Sequence, residues 1–221
     1  MGDGEELPAS KLGTKEFWDS SYVLELNNFK DHGDVGEVWF GEDSALRVVR
    51  WMSSTEAISS EDSVIDLGCG NGMLLVELAE EGFTNLTGVD YSEAAIKLAQ
   101  AVSSAQQLDI KFETFDILAD SSCPLNGRKF KVVLDKGTYD AISLNPDNPS
   151  EKRSLYIEAV NSLLEADGLF IITSCNWTQA ELVNHFHKYF AVSHVLPTPK
   201  FQFGGKTGNT VTSVVFKRAS L

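Results

Sequence analysis

From Ser63 onward, short apolar runs alternate with amphipathic segments, and that alternation constrains the fold more than any other feature. "SVIDLG" (63–68) reads as a strand and "NGMLLVELAEEG" (71–82) as a helix. "LTGVD" (86–90) is a strand, followed by "SEAAIKLAQAVSSAQ" (92–106), a helix capped by Ser92. "IKFETFD" (110–116) and "FKVVLD" (130–135) are strands joined by a polar loop. "SEKRSLYIEAVNSLLEADG" (150–168) is a helix closed by Gly168, and "LFIITSC" (169–175) is the next strand. Thr178 with Glu181 forms a capping box that opens a helix running to Phe190. Such alternation predicts an α/β fold with a mostly parallel sheet covered on both faces. "AVSHVLPT" (191–198) and "TVTSVVFKR" (210–218) have no helix between them, so they are expected to pair as an antiparallel hairpin at the sheet edge. Helical patterns at 14–30 and 43–56 precede the first strand. The expected organisation is a disordered acidic tail (1–13), a helical cap (14–61) and a core (62–221), the last two forming one domain.

The stretch "VIDLGCGNG" carries the strongest chemical signal. A strand ends at Asp66–Leu67, and Gly68, Gly70 and Gly72 lead into a helix. Glycines there let the backbone turn sharply and approach a ligand that side chains would exclude. The spacing G-x-G-x-G departs from the G-x-G-x-x-G of dinucleotide pyrophosphate sites, which disfavours a dehydrogenase. Asp66, just ahead of the loop, suits a cation better than a phosphate. Asp90, Asp116 and Asp135 then close successive strands. Asp90 stands 18 residues past Gly72, near the spacing at which an acid accepts from two ribose hydroxyls. Any one strand-end acid is equally well a turn or cap residue; the ordered set together with the loop points to a ligand site.

Charge narrows the choice of partners. With 32 acids against 18 bases the formal net charge is −14, which repels nucleic-acid phosphates and anionic membranes and attracts a basic partner. "MGDGEELPAS" at the start lacks the basic and apolar regions of a signal peptide, and no apolar run approaches membrane-spanning length. Cys69, Cys123 and Cys175 are odd in number and widely spaced, as expected of reduced thiols inside the cell. His185 and His187 lie two apart on a predicted helix and face different ways, so no metal site is expected.

The glycine loop with its ordered acids resembles the seven-β-strand, class I S-adenosylmethionine-dependent methyltransferases over about Asp62 to Arg218. The resemblance implies a Rossmann-like seven-stranded sheet and S-adenosyl-L-methionine as cofactor. On the matching positions, Asp66 and the Gly68–Gly72 backbone would hold its methionine end. Asp90 would take the ribose hydroxyls, Tyr91 would pack on the adenine, and Asp116 would accept from the adenine amino group with Ile117 alongside. Further, "KLGTKEFWDSSYVLELNNF", "GEVWFGE" and "DKGTYDAI" look like the eukaryotic elongation factor 1A lysine methyltransferase 2 family across nearly the whole chain. That implies N-methylation of a lysine on translation elongation factor 1A, a basic protein, by a monomer of the cytoplasm, with a nuclear share left open. No direct nucleic-acid or membrane contact is expected.

A lysine nucleophile must be neutral, and an aromatic channel that desolvates the amine favours the neutral form. Tyr139, Trp39, Phe40 and Trp177 are candidate walls, each with an ordinary packing role as its alternative. Asp135 could orient the ammonium, accept its proton, contact the cofactor, or merely cap a turn. Asp135 and Tyr139 are the catalytic candidates. Many protein lysine methyltransferases of this class carry D-x-x-Y after strand four, whereas the spacing here is D-x-x-x-Y.

Overall fold

The structure is a computed structural model that describes residues 6–119, 124–198, 200–203, 206–209 and 211–219. Its sheet has seven strands. In chain order these are β1 (Val64–Leu67), β2 (Leu86–Asp90), β3 (Lys111–Thr114), β4 (Phe130–Lys136), β5 (Leu164–Ser174), β6 (Phe190–Leu196) and β9 (Thr212–Arg218). Their spatial order is β3-β2-β1-β4-β5-β9-β6. β1 is parallel to both β2 and β4, β4 is parallel to β5, and β9 runs antiparallel between β5 and β6. The expected terminal antiparallel pair is therefore present, with β6 at the edge. The segment between them is itself a small hairpin, β7 (Lys200–Phe203) paired with β8 (Lys206–Asn209).

The helices are α1 (Lys15–His32), α2 (Glu42–Ser54), α3 (Met73–Glu80), α4 (Glu93–Ala105), α5 (Thr138–Ser143), α6 (Pro149–Leu163) and α7 (Gln179–Phe186). Alternation along each strand feeds two cores. Ile65, Leu67, Val133, Phe170 and Ile172 face Tyr156, Val160, Leu163 and Phe186 of α6 and α7. Val64, Val132, Leu134 and Ile171 face Val49 and Met52 of α2 and Leu75 and Leu78 of α3. All four residues of β1 are buried because both faces of the sheet are covered. α1 lays Tyr22 and Leu26 on Val76, Leu98 and Val102 of α3 and α4. The chain leaves β1 for β2 and β3 on one side and returns to β4 and β5 on the other. The carboxyl ends of β1 and β4 thus flank a topological switch point, where open α/β sheets bind ligands.

Three local readings are corrected. Residues 6–13 are ordered: Glu6 makes a bidentate pair with Arg153 (2.6 and 3.0 Å), Leu7 packs on the core, and Lys11–Gly13 form a 3₁₀ turn capped by Ser10. Only Met1–Glu5 of the expected tail lie outside the described residues. The helix expected over 150–168 stops at Leu163, because residues 164–168 join β5, where Leu164 pairs with Phe130. "TYDAIS" (138–143), to which the sequence pattern assigns no element, is the short helix α5. By contrast, the capping box at Thr178 and Glu181 is present as expected.

Asp135, near the end of β4, ties these layers together. It is buried, accepts from the Thr138 and Tyr139 amides (3.0 and 2.9 Å) at the start of α5, and also accepts from the Tyr156 hydroxyl of α6. Tyr156→Phe keeps the ring and withdraws one donor from a buried carboxyl group. It is expected to destabilise the fold by about 1.5–3 kcal/mol, measured as a lower urea midpoint at unchanged slope.

Candidate active site

The site begins with the backbone after β1. The amides of Gly68 and Cys69 both donate to the Val89 carbonyl (2.8 and 3.0 Å), which folds the chain back across the end of β2. Gly68 and Gly70 adopt φ of +68° and +55°. A Cβ on Gly70 would stand 2.5 Å from the Tyr22 hydroxyl, so α1 reaches the loop only because the residue is glycine. The Gly70 amide donates to Asp90 Oδ2 (3.1 Å) and the Ser92 amide to Oδ1 (2.9 Å), fixing the Asp90 carboxylate at the end of β2. Asn71 ties the loop to the connection between α1 and α2: its Nδ2 donates to the Val35 and Glu37 carbonyls (3.0 and 3.2 Å).

One cavity opens over the carboxyl ends of the strands. Its walls include Gly68, Gly70, Asp90, Tyr91, Asp116 and Ile117, so the structure brings together most of the predicted cofactor residues. Trp39 and Phe40 line it as well. Trp39 meets Trp18 of α1 edge to face, ring centroids 4.9 Å apart. Phe40 holds φ of +66°, an unusual conformation for a bulky residue, with its ring against Gly137 and its carbonyl accepting from Ser44 Oγ (2.8 Å). Lys136 is placed beneath this segment: its ammonium donates to the Trp39 carbonyl (3.0 Å) and lies 5.8 Å from the Phe40 ring centroid.

Several predicted residues do not reach the cavity. Asp66 and Gly72 stand behind its wall, Asp66 buried in β1 and Gly72 as the cap of α3. Asp135 is turned to its three donors and is not among the residues that line the cavity. Tyr139 is core: its ring packs on Tyr156 and Phe186, and its hydroxyl pairs with His185 Nδ1 (3.0 Å). Trp177 is also buried, donating to Ser143 Oγ (3.2 Å) and stacked edge-on by His185. The cause is the helix that the sequence reading missed. Because α5 starts at Thr138, Thr138, Ala141 and Ile142 share the cavity face at i, i+3 and i+4, and Tyr139 rotates inward.

Other cavity residues were not anticipated. Leu12, Gly13, Lys15, Trp18 and Tyr22 come from the N-terminal segment, and Asp140 comes from α5. The segment is pinned by the Ser10 amide on the Leu144 carbonyl (3.0 Å) and by Asn145 Nδ2 on the Gly13 carbonyl (2.5 Å). Lys15 pairs with Asp116, and its ammonium lies 5.2 Å from the Tyr91 ring centroid. No periodicity signals these contacts, since they depend on how α1 returns over the sheet.

The electrostatics are those of an undercompensated anionic site. Burial pushes the Asp66 carboxyl up to about 7, opposed by the Lys136 ammonium and reinforced by Asp135 and Asp90. Burial raises Asp90 to about 6 against the Ser92 and Gly70 amides, and Asp135 to about 7 against the Tyr156 hydroxyl. Such a site favours a ligand that brings positive charge and no phosphate. An amino acid joined through a sulfonium to a nucleoside fits this donor set. Ser92 stands at the N-cap of α4 as expected, but its hydroxyl is buried with no partner and makes no capping bond.

A methyltransferase domain model matches residues 58–214. EEF1A lysine methyltransferase 2 of Danio rerio is 50% identical over 97% of this chain and 91% of its own. The Homo sapiens protein of that name is 49% identical over 95% of this chain and 87% of its own. The chain belongs to the EEF1A lysine methyltransferase 2 family. Protein-lysine N-methyltransferase EFM4 of Saccharomyces cerevisiae is 40% identical over 96% of both chains. In fold, this family member is similar to an S-adenosylmethionine-dependent methyltransferase from Clostridium acetobutylicum, with a TM-score of 0.63 at 14% identity over 89% of this chain and 98% of that one. It is likewise similar to magnesium protoporphyrin IX methyltransferase from Synechocystis with bound S-adenosylmethionine, with a TM-score of 0.57 at 19% identity over 88% and 96%.

The raised carboxyl groups set a pH dependence. Asp66, Asp90 and Asp135 hold protons in the fold at pH values where an unfolded Asp, with pKa near 3.9, has lost them. Their contribution to stability is complete below about pH 4 and is lost as pH rises through about 6 to 7. The unliganded protein is expected to melt about 5–10 °C lower at pH 8 than at pH 5, by calorimetry. Asp66→Asn is expected to flatten that slope.

Proposed function

We propose that this protein methylates a lysine side chain of translation elongation factor 1A, with S-adenosyl-L-methionine as methyl donor. One observation carries the reading: the glycine loop, Asp90, Tyr91 and Asp116 line a single anionic cavity in a chain about half identical, over nearly its full length, to proteins named for that activity.

In this reading Asp66 and the Gly68–Gly72 backbone set the field and shape for the amino-acid end of the cofactor. Asp90 takes the ribose hydroxyls, and Tyr91, Ile117 and Asp116 enclose the adenine, with Lys15 closing that end from α1. When bound, the cofactor supplies an electrophilic methyl group on a positively charged sulfur. The protein positions a neutral amine in line with it, which is most of what such a displacement requires. Freeing a lysine amine of its proton at pH 7 costs roughly 4–5 kcal/mol from a pKa of about 10.4. Trp18, Trp39 and Phe40 form a desolvating wall that favours the neutral form. The net charge of −14 draws a basic protein toward the cleft.

Labelled S-adenosylmethionine with purified elongation factor 1A is expected to yield label on lysine, with apparent substrate affinity falling as salt rises. Label on small metabolites alone would contradict the reading. Asp90→Ala removes the ribose acceptor and frees the glycine loop, and is expected to weaken cofactor binding by about 10²-fold or more in calorimetry.

A further inference from the structure

The reaction needs a group to receive the substrate's ammonium, and neither Asp135 nor Tyr139 reaches the cavity. Asp140 does. It sits on α5 with its carboxylate turned to the end of β5: Oδ1 accepts from the Ser174 hydroxyl (2.6 Å) and Oδ2 from the Cys175 amide (2.8 Å). Ser174 Oγ in turn accepts from the Asn176 and Trp177 amides (3.2 and 3.0 Å), so the acid is held by a fixed turn. Asp140 is 4% exposed, and Cys175 and Asn176 line the cavity beside it.

Like Asp90 and Asp135, Asp140 is met by neutral donors; what separates it is that it lines the cavity, as Asp135 does not, and stands away from the β2 end where Asp90 lies. Asp116 is paired with Lys15, Asp66 has the Lys136 ammonium in its field, Asp90 is held by two amides, and Asp135 by a phenol and two amides. Among the described residues Asp140 has neutral donors and no ion-pair partner. A buried carboxylate without a cation is unfavourable unless one arrives. Its position agrees. Asp90 and Asp116 follow β2 and β3 on one side of β1, whereas Asp140 lies beyond β4 and β5 on the other, away from the nucleoside end.

Resting on the lysine methyltransferase reading, we propose that Asp140 receives the substrate's lysine ammonium and accepts its proton. The N–H bond breaks, the proton passes to a carboxylate oxygen, and the nitrogen keeps the electron pair. That pair forms the new N–CH₃ bond as the C–S pair withdraws to sulfur, which becomes neutral while the product nitrogen takes the positive charge. The proton leaves to water when product departs. Burial holds the Asp140 carboxyl above the usual carboxylate range, which narrows its gap to the ammonium. The Ser174 and Cys175 donors keep the ionised form oriented. Ser174 is the positioning residue and Asp140 the catalytic one.

Asp140→Asn keeps size and can still accept from the Cys175 amide. It is expected to lower methylation of elongation factor 1A about 10²–10⁴-fold. S-adenosylhomocysteine should still bind within about threefold. Elongation factor 1A should bind more weakly to the complex with S-adenosylhomocysteine, a readout independent of turnover. Ser174→Ala withdraws a donor from the ionised carboxylate, so the rising limb of kcat against pH should move upward. If wild type labels lysine while Asp140→Asn keeps more than a tenth of its turnover, the proposal is overturned and the methyltransferase reading stands. If wild type transfers no methyl to lysine, the reading itself falls, and the proposal with it. Should Asp140→Asn fail to fold, Ser174→Ala decides: an unmoved limb marks Asp140 as structural.

Discussion

Four carboxyl groups, Asp66, Asp90, Asp135 and Asp140, are buried at the carboxyl end of one sheet, and the site is organised around holding them there. Charge in such a place is unfavourable unless donors or cations meet it. Each acid has a different answer. Asp90 is held by the Gly70 and Ser92 amides, Asp135 by a phenol and the amides that start α5, and Asp140 by a hydroxyl and a strand-end amide. Asp66 has the Lys136 ammonium in its field. One cation for this group leaves a net negative cleft, which suits a sulfonium cofactor and an incoming ammonium.

The roof of the cleft follows from the same arrangement. Lys15 bridges α1 to Asp116, Asn71 binds the glycine loop to the backbone at Val35 and Glu37, and Lys136 holds the Trp39 carbonyl. These contacts run from the cofactor side of the sheet into the segment that carries the aromatic wall. The positive φ of Phe40 is supported at both ends by these neighbours, as a strained residue must be.

The sheet and its acids were legible because they rest on short-range rules. Apolar runs of strand length, glycine breaks and strand-end acids placed β1, β2, β4 and β5 with Asp90 and Asp116 after their strands, and the family resemblance added Tyr91 and Ile117; all four residues line the cavity. The substrate side was less legible. α5 is six residues long and follows a glycine, too short for helical periodicity to show, so the rotation that buries Tyr139 and presents Asp140 was hidden. Trp177 went the same way, since an aromatic after a strand is as readily core as wall. The N-terminal segment was read as disordered from its composition, but its order comes from single contacts such as Glu6 with Arg153 and Ser10 with Leu144. Composition does not record these.

The account stands on one assignment: the cleft over β1 and β4 holds the cofactor on the β2–β3 side and the target lysine on the β5 side. A crystal structure of the protein with S-adenosylhomocysteine tests it most directly. The account predicts the ribose hydroxyls on Asp90, the adenine between Tyr91 and Ile117, and the sulfur facing the space bounded by Trp39, Phe40 and Asp140. A ligand seated elsewhere, or with its sulfur turned away from Asp140, would contradict it.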